Sequence, residues 1–274
     1  VGIDYYRVFN PNVFQQADIF GSHNVTFPNY LTVGFYWTLQ PFTNNDYVEP
    51  RVFGRYCTVP KNYMTGGFYS SDYRKRFALD VQLTNRAYDE QGRDAFSWSV
   101  SPRYRFSDKF SIIYSLSGQY ISNDLGYVEN LNGDIYFGRR NVSTITNELD
   151  AAYIFTNTMS LKLNARHYWS QPQYSRYWLL ANDGALLGTG YNTNHDVNFN
   201  SFNLYTSFVW QFLPGSEMSV VYQNSIYTSG TDIIGNYFTD ASYTFKAPQS
   251  NSISLKVIYY LEYQHLRQMF KKAS

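Results

Sequence analysis

Between Asn147 and Trp169 two chemically different sets of residues alternate one for one. Leu149, Ala151, Tyr153 and Phe155 form one set, which Met159, Leu161, Leu163, Ala165, His167 and Trp169 continue after Thr156-Asn157-Thr158. The other set is Glu148, Asp150, Ala152 and Ile154, then Ser160, Lys162, Asn164 and Arg166. A period of two belongs to a β-strand, whose successive side chains point to opposite faces. Three polar residues between two such runs fit a tight hairpin. Pairing Phe155 with Met159 sets Glu148 opposite Arg166, Asp150 opposite Asn164 and Ala152 opposite Lys162, with Asp150 diagonal to Lys162 and Arg166.

The alternation recurs at Leu31–Leu39, Phe77–Leu83, Phe96–Phe106, Phe110–Tyr120, Phe202–Phe212, Met218–Tyr222 and Ile253–Tyr263. Clear strands are therefore expected within 28–39 and 76–263, with a tenth at 1–9 or 51–58. Residues 10–26 read as irregular. Residues 40–75, broken by Pro41, Pro50, Pro60 and Gly66-Gly67, read as a long connection or insertion, and 264–274 as a basic tail. The connections at 107–109, 156–158 and 213–217 are short, whereas 122–142, 171–197 and 229–250 read as long polar loops, the first holding the favoured turn pair Asn132-Gly133. Short turns at one end, long loops at the other and strands of about 11–14 residues are the signature of an outer-membrane barrel. A soluble sandwich has shorter strands and no reason to segregate its loops. The expected fold is an all-β, antiparallel transmembrane β-barrel in one domain over 1–274, with about ten strands, or the C-terminal part of a larger barrel.

Composition agrees with that class. A net charge of +1 offers no basic field for nucleic acid. Charged residues are only 16% and aromatics 20%, with 28 tyrosines, side chains that suit a boundary between lipid and water. A mean hydropathy of −0.41 without any run near 18 apolar residues argues against membrane helices, not against strands that alternate lipid-facing and lumen-facing residues. The lone Cys57 forms no internal disulfide and reads as a small strand residue. Residues Val1–Tyr6 lack a charged and then apolar leader, so no signal peptide is expected within them.

In a barrel the apolar face meets lipid and the polar face lines the lumen, with short turns toward the periplasm. A lumen charge network is then expected from Glu148, Asp150, Lys162 and Arg166, extended by Asp80, Arg86, Arg103 and Arg105. It either fills and rigidifies the interior or selects what passes. Phe106, Phe110, Phe155, Trp210 and Phe212 are expected in the periplasmic aromatic girdle, and Trp169 with Tyr120 in the outer one.

Two pairs carry an enzymatic alternative. His195-Asp196 lies where an omptin-like protease keeps an Asp/His pair, although neighbours on a strand point apart. His167 with Ser170 suggests a phospholipase base and nucleophile, although His167 falls on the expected lipid face. No metal-ligand spacing, phosphate loop or dinucleotide fingerprint is present, so no catalytic residue, metal or cofactor is expected.

Four segments, Ser70–Lys75, Arg139–Leu149, Asn164–Ser170 and Trp210–Met218, resemble in order the C-terminal barrel of a Bacteroidota outer-membrane family of unknown function. The resemblance covers about residues 70–264. Members typically carry an N-terminal domain similar to family-9 carbohydrate-binding modules; residues 1–274 contain none, so carbohydrate binding is not carried over. The family assigns no catalytic residues. The resemblance implies a non-enzymatic outer-membrane barrel, touching lipids and other envelope proteins, that serves as a passage or as a scaffold in an envelope complex. The alternatives are part of a TonB-dependent-type transporter and a barrel hydrolase.

Overall fold

A computed structural model describes residues 1–10 and 12–261. The expected basic tail at 264–274 lies outside the described residues. The strands are β1 (Gly2–Val8), β2 (Val13–Thr26), β3 (Thr32–Gln40), the short β4 (Asn44–Asp46) and β5 (Cys57–Val59), then β6 (Asn62–Ser70), β7 (Phe77–Tyr88) and β8 (Asp94–Ser107). The long β9 (Phe110–Leu131), β10 (Asp134–Thr156) and β11 (Met159–Leu180) follow, then β12 (Leu186–Gly188), β13 (Asn198–Leu213) and β14 (Ser216–Gly230). One helix, α1 (Tyr237–Thr244), precedes β15 (Gln249–Ile258).

The main sheet is an antiparallel meander in the order β1-β2-β3-β6-β7-β8-β9-β10-β11-β13-β14-β15; β12 pairs with β11, and β4 and β5 form a separate pair. The all-β, antiparallel expectation holds. The expected closure does not: among the described residues β1 and β15 each have one neighbour, so the sheet is open. Twelve strands, rather than ten, make up the meander. The residues at 10–26 expected to be irregular contain β2, where a bulge at Gln15 breaks the alternation and apolar side chains fall on both faces (Phe14 and Ile19 on one, Val13 and Phe20 on the other). The extra strand in 40–75 is at 62–70, not 51–58. Its Gly66 lies beneath the Tyr36 ring and Gly34 of β3 beneath Phe68, so the glycines that look like breakers are covered by rings across a strand pair.

The loop expected at 122–142 is strand but for its turn, and the one expected at 171–197 is strand as far as Leu180. Asn132 and Gly133, at φ of 53° and 96°, make the two-residue turn between β9 and β10. Irregularities in pairing near 122–123 and 136–137 shift the alternation out of phase, which hides the strands from a period count. The third loop holds α1, capped by the Asn236 side chain accepting from the Thr239 N–H at 3.0 Å. Among the described residues the final strand ends at Ile258; the expected end at Tyr263 lies outside them.

Connections at 27–31, 71–76, 108–109, 157–158 and 214–215 share one end of the sheet. Those at 41–61, 89–93, 132–133, 181–197 and 231–248 share the other, where β9–β11 also project. One sheet face is apolar and open: Phe35 and Leu83 are 49% and 50% exposed. The other is polar and hollowed into a groove of ≈ 350 Å³ across β7–β10, lined by Gln82, Thr84, Ser97, Ser117, Gln119 and Thr146.

Candidate functional site

The polar face and the connection 41–61 that lies over its long-loop end form the candidate site. A chain of hydrogen bonds ties the connection to the sheet at both its ends. Gln16 and Gln40 donate to the two Asp18 oxygens at 2.7 Å each. Asn44 and Asn62 both donate to Gln40 Oε1, at 2.8 and 2.6 Å, and Arg86 donates to Asn62 Oδ1 at 2.9 Å. An anion thus sits at one end of the chain and a cation at the other, with buried amides polarised between them.

The far side of the connection is stapled to β9–β11. Glu49 accepts from the Tyr127 N–H at 2.8 Å and lies 3.7 Å from Arg140. Arg140 makes its closer pair with Asp124, 3.0 Å away, and donates to the Tyr174 hydroxyl at 3.0 Å. Arg93 joins Asp124 and Glu90, and Glu90 also meets Arg139. Arg55 reaches the Leu180 carbonyl at 2.6 Å. Beneath the connection, Cys57 and Val52 pack with Leu125, Ile135, Phe137 and Leu180. Burial pushes the Cys57 thiol up to about 12, helped by Asp46 and Glu49, so it is an inert packing residue. The connection and the sheet enclose a cavity of ≈ 520 Å³ whose lining is mostly amide and charged side chains, among them Gln15, Asn45, Asp46, Glu49, Arg86 and Arg140.

The residues expected in one lumen network fall in three places. At the short-turn end Asp80 accepts from Ser70 at 2.7 Å and from Tyr73, while Arg103 stands over the Tyr73 ring and Arg105 donates to its carbonyl. Arg86 is at the opposite end, in the amide chain above. Between them lie Glu148, Asp150, Lys162 and Arg166, in the register expected from the sequence: Glu148 faces Arg166, Asp150 faces Asn164 and Ala152 faces Lys162. A bulge at Phe155 shifts only the turn, so Met159 pairs with Thr156. The expected cross-strand ion pairs do not form among the described residues. Asn164 donates one amide to both carboxylates, 2.9 Å from Glu148 and 2.8 Å from Asp150, and Arg166 extends over the Tyr168 ring. An amide between two carboxylates satisfies both without fixing a long cation, so Lys162 and Arg166 stay exposed on the polar face.

Phe106, Phe110 and Phe155 belong to a continuous row of rings at the short-turn end, running Tyr104, Phe106, Phe110, Tyr153, Phe155, Phe208. Trp210, Phe212 and Tyr259 form a second such row at the same end. Trp169 stands on the apolar face but is covered and exposes no ring to a girdle. It is buried under α1, and its indole N–H donates to Asp240 at 2.8 Å.

Neither pair of the enzymatic alternative assembles. Asp196 accepts from the Tyr174 N–H, while His195 turns to Tyr191 and to Glu129, 3.4 Å away. His167 bonds the Tyr237 hydroxyl at 2.8 Å, and Ser170, on the other face, bonds Thr144. Among the described residues no three His, Cys, Asp or Glu side chains gather as a metal site. The residues missed from the sequence are Glu49, Glu90, Arg93, Asp124, Arg139, Arg140 and Asp240. Only Arg139-Arg140, an uninterrupted cationic pair leading into a strand, offered a signal.

No curated protein matches the chain. A family model does, from the first residue almost to the last: over residues 1–270 the chain fits the family described as a domain of unknown function, DUF5916, and it belongs to that family.

Proposed function

We propose that the chain forms wall of a bacterial outer-membrane β-barrel that passes polar solutes, without catalysing a reaction. The observation that carries this is the two-sided meander. One face exposes apolar side chains bordered by rows of rings, and the other is polar, grooved and overlain by an amide- and charge-lined connection. In a bilayer such a face replaces water contacts with lipid, and the polar face needs water or solute. The connection 41–61 would narrow the passage, and the paired charges of its cavity favour polar solutes without net charge.

Lipid cannot hydrogen-bond a free strand edge, so this reading requires β1 and β15 to be paired in the membrane, with each other or with further strands. A TonB-dependent-type transporter would supply the further strands. The barrel-hydrolase alternative would rest on His195 and Glu129, but the Tyr191 hydroxyl bonds both the carboxylate and His195 Nε2, so that nitrogen is already engaged.

Reconstitution into planar bilayers tests the proposal. Discrete conductance steps are expected, with their cation preference raised by Arg166→Ala, since Arg166 is an exposed cation on the polar face. Insertion without conductance in either protein would favour a scaffold role in an envelope complex, and failure to insert would overturn the membrane reading.

A further inference from the structure

Along β11 and β13 the apolar face changes character part of the way up. From the ring row it presents Leu161, Leu163 and Ala165 on β11, and Phe208, Thr206 and Leu204 on β13. Above them the same face turns polar, with His167, Gln171, Asn198 and Asn200, all buried. What buries them is α1. Tyr237, Asp240 and Thr244, at helical spacing, form its sheet-facing stripe. Asp240 is 3% exposed and accepts from Trp169, Asn198 and Asn200 at 2.8, 3.1 and 3.1 Å. The Tyr237 hydroxyl joins His167 and Asn147 at 2.8 and 2.6 Å. A polar latch therefore holds the helix on a face that is otherwise apolar.

The opposite side of α1 is unlike the surface of a soluble helix. Phe238 is 80% and Tyr243 59% exposed, flanking an arc of Thr239, Ser242 and, just beyond the helix, Lys246. Two uncovered rings around small polar groups and a cation match the headgroup zone of a bilayer, where aromatic residues concentrate and a lysine meets anionic lipid.

The height agrees. Met159 pairs with Trp210 at the level of the ring rows, and His167 pairs with Phe202 beneath the helix, where the Phe245 ring contacts both. The eight steps from Met159 to His167 span roughly 26 Å along the strand, or about 20 Å of height at a tilt of about 40°, against an apolar band about 25 Å tall. The helix is thus at the far border of the band, where the face beneath it turns polar.

We infer that α1 is an interfacial anchor, latched by Asp240 and Tyr237 to the outside of the sheet and laying Phe238 and Tyr243 among lipid headgroups at the long-loop border. The inference rests on the membrane reading, so the test carries a control for it. Nitroxides are attached to Phe238→Cys, Tyr243→Cys, Leu83→Cys and Asp183→Cys in the full chain, reconstituted in phosphatidylglycerol-containing vesicles; buried Cys57 does not compete. Depth is read from the ratio of collision with oxygen to collision with a water-soluble nickel chelate. The Leu83 site should give the hydrocarbon ratio, Asp183 the aqueous one, and Phe238 and Tyr243 values between them, several-fold above Asp183. Phe238 and Tyr243 at the Asp183 value with Leu83 in hydrocarbon would overturn the anchor and leave the membrane reading standing. Spin–spin broadening at both helix sites would assign this face to a second copy and also overturn it. An aqueous Leu83 site would overturn both.

Discussion

Trp169 donates its indole N–H to Asp240 at 2.8 Å, joining the middle of the longest hairpin to a helix 71 positions later in the chain. The carboxylate also takes donors from Asn198 and Asn200, and all three donors are buried. Asp240→Ala would leave Trp169 and Asn198 without an acceptor and Asn200 only a long bond to Asn198, at a cost of about 2–4 kcal/mol. Amide exchange across 237–244 is expected to speed up by at least tenfold, whereas Asp240→Asn, which keeps one acceptor oxygen, loses less. Exchange as slow as in the wild type for Asp240→Ala would show that apolar contacts, not the latch, hold α1.

At the other end of the sheet the turn 71–76 is sensitive to acid. Hydrogen bonds donated by the Arg74 side chain and N–H hold the Asp72 carboxyl down to about 2. Arg74 also lies over the Tyr30 ring, joining two neighbouring turns. Because the folded value lies below that of the unfolded chain, the contribution is whole above about pH 4 and is lost as pH falls toward 2. The carboxyl carbon resonance of Asp72 should titrate near 2, and Arg74→Ala should move it upward but not fully to the free value, because the backbone N–H of residue 74 still donates to it. A midpoint near 4 in the wild type would contradict the pairing.

The connection 41–61 depends on Arg140, which faces Asp124 and Glu49 together. Arg140→Met keeps an unbranched apolar stem and removes the guanidinium, leaving Glu49 its Tyr127 N–H and Asp124 its Arg93. Since Arg140 is partly exposed, the loss should be about 2 kcal/mol, less than for a fully buried pair. Trypsin cuts after Arg51 and Arg55 should then come several-fold faster. Unchanged cutting would mean that the apolar cluster around Cys57 and Val52 alone holds the connection.

What the sequence disclosed and what it hid follow from the range of the interactions. The register of β10 on β11 was legible because facing residues share a sheet face and the turn is short, so the polar set of one strand had to meet that of the other; the bulge at Phe155 keeps Glu148 opposite Arg166 across a two-residue turn. The partner each charge chose was not legible. Asn164 outcompeted Arg166 for Glu148 through local geometry that no period encodes. The cluster of Glu49, Asp124 and Arg140 joins segments far apart in the chain, two of them read as loop, and the helix that buries Trp169 lies in a third such segment. The openness of the sheet is a property of its two outermost strands, on which alternation is silent.

Gly126 offers a way to disturb Arg140 without removing its charge. The residue pairs with Gly138 across β9 and β10, and a Cβ placed on it would run into the Arg140 guanidinium. The backbone there is ordinary strand, so Gly126→Ala acts through that collision and not through a strained φ. The guanidinium would have to leave Asp124 and Glu49, and trypsin should cut the connection faster, as in Arg140→Met. In the double variant Gly126→Ala with Arg140→Met the two effects should not add, because the second substitution removes what the first displaces. Additive acceleration would mean that Gly126 supports the connection by another route, through the packing of β9 on β10.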